Sequence, residues 1–147
     1  MSAMDSAIIA ARPGLAAATT LLAAAKLPTS DLTERHCEHF FFLGPEEALE
    51  GLVGLEPFGE VALLRSLVVA ENLRGTGAGS RLLEHAETQA RSRGVRELYL
   101  LTTTAEPFFA ARGYARAARE SAPLAIRTTR EFAGICPASS AFMVKRL

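Results

Sequence analysis

The stretch Leu67-Val68-Val69-Ala70-Glu71-Asn72-Leu73-Arg74-Gly75-Thr76-Gly77-Ala78-Gly79-Ser80-Arg81-Leu82-Leu83 decides how this chain is read. Its apolar, β-branched opening predicts a strand that ends near Val69. Three alternate glycines follow, and then Leu82, Leu83, Ala86 and Ala90 recur on one helical face. Ser92-Arg93-Gly94 closes that helix with a basic last turn and a glycine cap. Residues 95–102 read as another strand. Residues 60–102 are therefore strand, glycine loop, helix, strand, a right-handed crossover if the strands are parallel.

A glycine-rich entry into a helix is suited to an anion. The first-turn N–H groups lack intrahelical partners and lie at the positive end of the helix dipole. Glycines permit positive φ and close backbone approach to a phosphate. Arg74 adds a charge able to pair with phosphate. The spacing excludes two nucleotide motifs. An ATPase loop needs Gly-Lys followed by Ser or Thr, and no lysine is present here. The dinucleotide fingerprint needs a third glycine where Ser80 stands. Taken alone, the segment also fits a plain turn before a surface helix.

Working outward, residues 7–11 predict a short first strand, and Pro13 can open a helix reaching about Lys26. Thr29, Ser30 or Asp31 can cap a second short helix. Residues 39–43 read as a Phe-rich strand ended by Gly44-Pro45. Residues 50–56 and 60–69 read as strands about the turn Pro57-Phe58-Gly59, completing an antiparallel meander. Beyond the crossover, residues 106–112 predict a helix capped by Gly113, and residues 141–144 a last strand. With no repeat, low-complexity tract or linker, residues 1–147 are expected to form one α/β (α+β) domain.

Composition narrows the function. Hydrophobic residues make up 49% and charged residues 22%, a globular balance, and the zero formal net charge favours neither nucleic acid nor an anionic membrane. Residues 15–27 are apolar but too short to span a bilayer and lack a basic flank, so neither a membrane anchor nor a signal peptide is expected. A cytoplasmic setting is the simplest expectation, as a monomer or homodimer. Two cysteines, Cys37 and Cys136, make no disulfide framework, and His36, His39 and His85 have no metal-ligand spacing with them, so no metal is expected. Cys136 could attract arsenite as a thiolate, but a small buried residue before Pro137 is the plainer reading.

Arg74, Gly77 and Gly79, set between strand and helix, resemble the acetyl-CoA motif of the GNAT superfamily of N-acetyltransferases. Phe108-Phe109-Ala110-Ala111-Arg112-Gly113-Tyr114 resembles that superfamily's next motif, an aromatic pair followed by Gly-Phe or Gly-Tyr, in matching order and separation. Ala122-Pro123, Ile126-Arg127, Arg130-Glu131-Phe132, Cys136-Pro137-Ala138-Ser139 and Met143-Val144-Lys145 look like a small bacterial subgroup. That subgroup is named for its association with arsenic-resistance genes and is likened to N-acetylglutamate synthases. The resemblance implies a mixed sheet splayed between the strands ending near Val69 and Thr102, with the pantetheine arm of acetyl-CoA lying in the gap. It also implies backbone contacts from Leu67, Val68 and Val69, and a pyrophosphate held by Arg74, Gly75, Thr76, Gly77, Ala78, Gly79 and Ser80. Phe109 stands where many such enzymes carry a tyrosine that protonates the departing thiolate, and it has no proton to give.

Acetyl transfer to an amine requires a proton acceptor, because aliphatic amines are mostly protonated at neutral pH. Glu56, at a strand end, is the candidate base, with Glu60 a weaker one; the alternative is an exposed glutamate beside the Pro57 turn. Backbone N–H groups at Leu67 or Val68 are candidate donors to the oxyanion. Arg65 interrupts an apolar strand and needs an anionic partner, either a substrate carboxylate or a nearby glutamate. If strand alternation carries Leu63, Arg65 and Leu67 on one face, Arg65 would read the acceptor's carboxylate. Arg127 is a second candidate for an anionic acceptor. The expected acceptor is a small molecule bearing a primary amine. Two other functions fit the same motifs, a non-catalytic acyl-CoA sensor and a peptide N-acetyltransferase.

Overall fold

The computed structural model describes residues 8–135 and 139–147. Seven strands are present among them: β1 (Ala10–Ala11), β2 (Phe40–Leu43), β3 (Gly51–Phe58), β4 (Val61–Val69), β5 (Glu97–Thr102), β6 (Ala115–Arg116) and β7 (Ala141–Arg146). The helices are α1 (Leu15–Ala24), α2 (Glu34–Cys37), α3 (Ala78–Ser92), α4 (Glu106–Ala110) and α5 (Leu124–Arg127). The strands form a mixed sheet in the order β1-β2-β3-β4-β5-β7-β6. This is the mixed α+β arrangement that the sequence predicts. By its contacts the chain divides into one unit that runs to Leu55 and includes Ser66–Ala86, and another made of Glu56–Arg65 and Glu87–Leu147.

In the first unit, β1, β2 and the start of β3 are antiparallel, with Ala10 opposite Phe42, Phe42 opposite Leu52 and Phe40 opposite Gly54. Period-two alternation points Phe40, Phe42 and Leu52 to one face. There they pack with Ala18 and Leu22 of α1, with Leu49 and with Val68. Ala18 and Leu22 are four residues apart, one helical turn, so the Ala-rich helix presents its apolar stripe to this cluster. α1 begins at Leu15 after Gly14, and the chain turns off it where Lys26 takes φ 60°. Gly54 faces the Phe40 ring so closely that a β-carbon would lie 2.2 Å from it.

In the second unit, the first half of β4 pairs in parallel with β5 through Val61↔Glu97, Ala62↔Leu98 and Leu63↔Tyr99. The parallel pairing makes the β4–α3–β5 segment a crossover unit, as expected. The last of these pairs precedes the end of either strand, since β4 runs on to Val69 and β5 to Thr102. β5 pairs along its whole length with β7, from Glu97↔Arg146 to Thr102↔Ala141. Leu63, Tyr99, Ala122, Ile126 and Phe142 form the core here. Tyr99 stacks on Phe142 at 5.4 Å, and Phe132 meets the same ring edge-on at 5.3 Å.

Several boundaries move for identifiable reasons. The β3–β4 turn falls at Gly59-Glu60, because Gly59 supplies φ +74° while Pro57 is compatible with extended backbone and stays in β3. The cap of α2 is Thr33, whose hydroxyl accepts from His36 N–H at 3.4 Å while Thr33 N–H donates to His36 Nδ1 at 3.1 Å. Histidine occupies the position where glutamate or glutamine usually completes such a box, so the signature is not visible in the sequence. β6, α5 and the π-helical turn Glu131–Ile135 are unannounced, being too short for periodicity to register. Ala7, and Cys136 with Pro137 and Ala138, lie outside the described residues.

The Gly54–Phe40 contact carries a test. Gly54→Ala should lower stability by about 1–3 kcal/mol through overpacking. Chemical denaturation measures it, and an unchanged midpoint would show that Phe40 moves aside freely.

Candidate functional site

β4 and the loop after it carry most of the residues that the sequence singles out. Following Val69, a 3-10 turn spans Glu71–Leu73. Thr76 N–H and its hydroxyl both donate to Leu73 C=O, and Arg74 N–H donates to Glu71 C=O at 3.3 Å. Arg74 is exposed, and its Nε donates to Val69 C=O at 3.4 Å, which draws the guanidinium back toward the strand end. Gly75 and Gly77 take φ +82° and +89°, a region costly to residues bearing a β-carbon. Gly77 C=O accepts from Arg81 N–H at 3.1 Å, so Gly77 caps α3, and Ala78, Gly79 and Ser80 form its first turn. The local geometry is therefore that of a helix N-terminus entered through an exposed, positive-φ glycine loop.

One feature of β4 has no signal in the sequence. Ser66 takes φ 60°, a left-handed conformation in the middle of a strand and in a residue other than glycine. The alternation that would place Leu67 on the face of Leu63 and Arg65 therefore does not carry through. It is Val68, not Leu67, that enters the Phe40 and Leu52 cluster. Such a residue costs on the order of 1–3 kcal/mol and redirects the following peptide group.

Arg65 is buried, and its side chain is wholly covered. Nη1 donates to Glu56 Oε2 at 2.8 Å, and Nη2 lies 3.1 Å from Glu131 Oε2. Glu56 and Glu131 are themselves nearly covered, with side chains 13% and 6% exposed. Of the two readings of Arg65, the geometry favours the glutamate partner. Its fork spans two carboxylates of the protein. Glu131, which the sequence reading quoted only as part of a motif, is the residue that alters this assignment. Its buried side chain is supplied by the short π-helical turn, for which no sequence pattern exists.

A second buried polar cluster lies at the aromatic motif. Phe109 of α4 is buried edge-to-face with Phe108 at 5.1 Å and with Tyr114 at 5.5 Å. Tyr114 OH donates to Glu87 Oε2 at 2.9 Å, and Lys145 Nζ lies 3.0 Å from the same oxygen. Burial, and then the Glu87 carboxylate, push the Tyr114 phenol far above its usual range. Glu87 was legible: it stands one turn after Leu83 on the apolar stripe of α3, where a charge requires a partner. Arg127 is exposed, with Nε donating to Ala122 C=O at 3.1 Å, and is not brought to the Arg65 cluster by any recorded contact.

A parallel β4–α3–β5 crossover with a glycine-capped helix start makes an α/β arrangement suited to an anionic group at the helix N-terminus. The chain belongs to the acetyltransferase (GNAT) family, whose model matches residues 14–118. The amino-acid acetyltransferase of Ralstonia nicotianae is 35% identical over 94 residues, covering 63% of this chain and 21% of that protein. Mouse N-alpha-acetyltransferase 80 is 48% identical over 52 residues, covering 35% of this chain and 17% of that protein. The chain thus spans about a fifth of the length of these curated relatives. Among solved structures, N-acetylglutamate synthase from Neisseria gonorrhoeae, complexed with coenzyme A and L-arginine, superposes with a TM-score of 0.79 at 25% identity. That match covers 95% of this chain and 33% of the synthase. Among the described residues no helix is long and apolar enough to cross a membrane.

Among the described residues, a β-carbon at Gly77 would have nothing beyond its chain neighbours within 4 Å, so packing by them does not oppose one there. Gly77→Val is opposed by φ alone, at about 1–2 kcal/mol. It should fold and yet lose at least about tenfold in acetyl-CoA affinity by calorimetry, because the loop loses its phosphate-facing shape. Unchanged affinity would remove this loop from the donor site.

Proposed function

We propose that this chain transfers the acetyl group of acetyl-CoA to the primary amine of a small amino-acid-like molecule. The observation that carries the reading is the run of one strand and its loop. Arg65, locked to Glu56, the left-handed Ser66 and the helix-capping glycine loop follow one another within residues 65–80. The amino-acid acetyltransferase relatives support the acceptor class. In this reading the loop from Arg74 to Ser80 binds the pyrophosphate, and the backbone of Leu67, Val68 and Val69 meets the pantetheine arm. Phe109 forms part of the wall near the thioester.

The chemistry then follows from the acceptor's charge. The ammonium gives one proton to the Glu56 carboxylate, directly or through water, which frees the nitrogen lone pair. Nitrogen attacks the thioester carbon, and the oxyanion is met by a backbone N–H of Leu67 or Val68, which the turn at Ser66 takes out of the regular strand repeat. The intermediate collapses with the carbon–sulfur bond breaking. The nitrogen gives up a second proton in this step, so the products are the N-acetylated amine with either coenzyme A thiol and one released proton, or its thiolate and two. No tyrosine of the aromatic motif supplies an acid, because the hydroxyl of Tyr114 is committed to Glu87 and resists ionisation. A thiolate is a good enough leaving group to depart unaided or with a proton from water.

The likeness to mouse N-alpha-acetyltransferase 80 over a short segment favours one second reading, in which the acceptor is the amino end of a peptide. The link to arsenic resistance rests on the likeness of the C-terminal residues to the subgroup, and an arsenic-bearing amino-acid analogue is the acceptor it suggests. The deciding experiment is thiol release from acetyl-CoA over a panel of amino acids, simple amines and short peptides. Amino acids should give the highest kcat/KM. Binding of acetyl-CoA without thiol release from any acceptor would make the protein a sensor, and faster release with peptides would favour the second reading.

Two variants probe the mechanism. Glu56→Gln should lower kcat by about a hundredfold while leaving acetyl-CoA affinity unchanged, since it acts on the acceptor side. An unchanged rate would pass the proton to solvent instead. Phe109→Tyr should not raise the rate, because its ring is buried between Phe108 and Tyr114. An added hydroxyl without a partner there should lower stability by about 1–3 kcal/mol. Faster turnover in that variant would show that thiolate protonation limits the reaction.

A further inference from the structure

We infer that the hydroxyl of Ser140 sets acceptor specificity by donating a hydrogen bond to a carboxylate of the bound acceptor. The inference rests on the acetyl-transfer reading above and does not depend on which group serves as base. Ser140 is 6% exposed, and its Oγ has no hydrogen-bond partner among the described residues. Other buried hydroxyls of the same unit each have one. Tyr99 donates to Glu97 Oε1 at 3.0 Å, Tyr114 to Glu87 Oε2 at 2.9 Å and Thr129 to Ile126 C=O at 2.7 Å. A buried donor left unpaired is unfavourable, and in a folded protein such a group calls for a reason.

The place of Ser140 in the fold supplies one. It immediately precedes β7, where Ala141 lies opposite Thr102, the last residue of β5, and Phe142 lies opposite Leu101. Extending the alternation of β7 by one residue puts Ser140 on the face of Phe142. That face also carries Leu63 of β4, and Arg65 two residues beyond it. The π-helical turn covers it, bringing Glu131 to Arg65 and Phe132 to Phe142. Arg119 ties Ser140 to the same turn. Its Nη2 donates to Ser140 C=O at 3.0 Å, and its guanidinium carbon lies 5.5 Å from the centre of the Phe132 ring. The main chain at 140 is thereby held in place while its hydroxyl is left unpaired.

The chemistry selects the ligand group. A carboxylate only accepts hydrogen bonds, so an amino-acid acceptor needs donors for it. Arg65 is engaged by Glu56 and Glu131, whereas the Ser140 hydroxyl has an uncommitted proton. In the free protein Oγ is shielded from water. A turn about the Cα–Cβ bond moves a serine hydroxyl between staggered positions. Leaving the present position breaks no hydrogen bond, so an arriving carboxylate can draw the hydroxyl toward itself at little cost. Such a site discriminates against an amine that lacks the carboxylate, because the donor then stays unpaired.

The test is Ser140→Ala, read in three ways. Because the hydroxyl has no internal partner, the thermal midpoint should be no lower than that of the unmodified protein. Acetyl-CoA affinity should stay within about twofold, while kcat/KM for L-glutamate should fall at least about tenfold, chiefly through KM. Two shorter amines locate the carboxylate: 4-aminobutanoate lacks the α-carboxylate of glutamate, and L-2-aminobutanoate lacks the side-chain one. With one of them the variant should lose less than about threefold. Where either is too slow a substrate to follow, its inhibition constant against L-glutamate gives the same comparison. Equal losses with all three compounds, or no loss with L-glutamate, would overturn the inference and leave acetyl transfer standing. A clear drop in thermal midpoint or in acetyl-CoA affinity would show that the hydroxyl supports the domain itself, and would overturn it too. If the unmodified protein acetylates none of the three, the acceptor reading falls first and the inference with it.

Discussion

A guanidinium with no exposure to water organises much of this structure. Desolvating Arg65 would be prohibitive without anions within hydrogen-bonding reach, and the fold brings one from either side in sequence, Glu56 nine residues before and Glu131 far after. The consequence is mutual. β3 and β4 are fixed in register not only by their turn but by an ion pair across it. The turn Glu131–Ile135 is held to β4 by the same cation. A cluster of this kind contributes little net stability compared with well-packed apolar residues; what it adds is the choice of which elements meet.

The Tyr114, Glu87 and Lys145 cluster obeys the same electrostatic rule with a different outcome. Glu87 is buried on α3, and two donors satisfy it: a phenol and an ammonium from β7. One anion with one cation makes that cluster neutral, and the phenol resists ionisation there. It is a closed arrangement that ties α3 to β7 and braces Tyr114 against Phe109. The Arg65 cluster divides one cation between two carboxylates from separate elements.

Legibility in the sequence followed physical range. The crossover was legible because apolar periodicity over α3 and β4, and the glycines that separate them, are local and repeated signals. The glycine loop was legible for the same reason, since positive-φ glycines before a helix are a local signal. The partner of Arg65 was only half legible. The need for an anion is local, but which anion meets it is a long-range fact that depends on a five-residue turn. The break in alternation at Ser66 had no signal at all, since nothing about serine announces φ 60°. That single residue undid the argument that placed Leu67 beside Arg65. The cap of α2 was missed for a related reason, a histidine performing a role that pattern rules assign to glutamate.

The partner of Arg65 bears on how an acceptor would be read. The sequence leaves a substrate carboxylate and a nearby glutamate both open for this arginine, and the structure supplies two glutamates, Glu56 and Glu131. If the acceptor is an amino acid, its carboxylate has to be met by a different donor, and exposed arginines such as Arg127 and Arg130 remain as cations for that purpose. The division has a chemical logic. Reading the carboxylate with Arg65 would pair the cation with substrate and weaken its hold on Glu56. On the proposed mechanism, in which Glu56 is the base, pairing it with protein positions that carboxylate before any acceptor arrives, the condition under which proton removal needs least reorganisation.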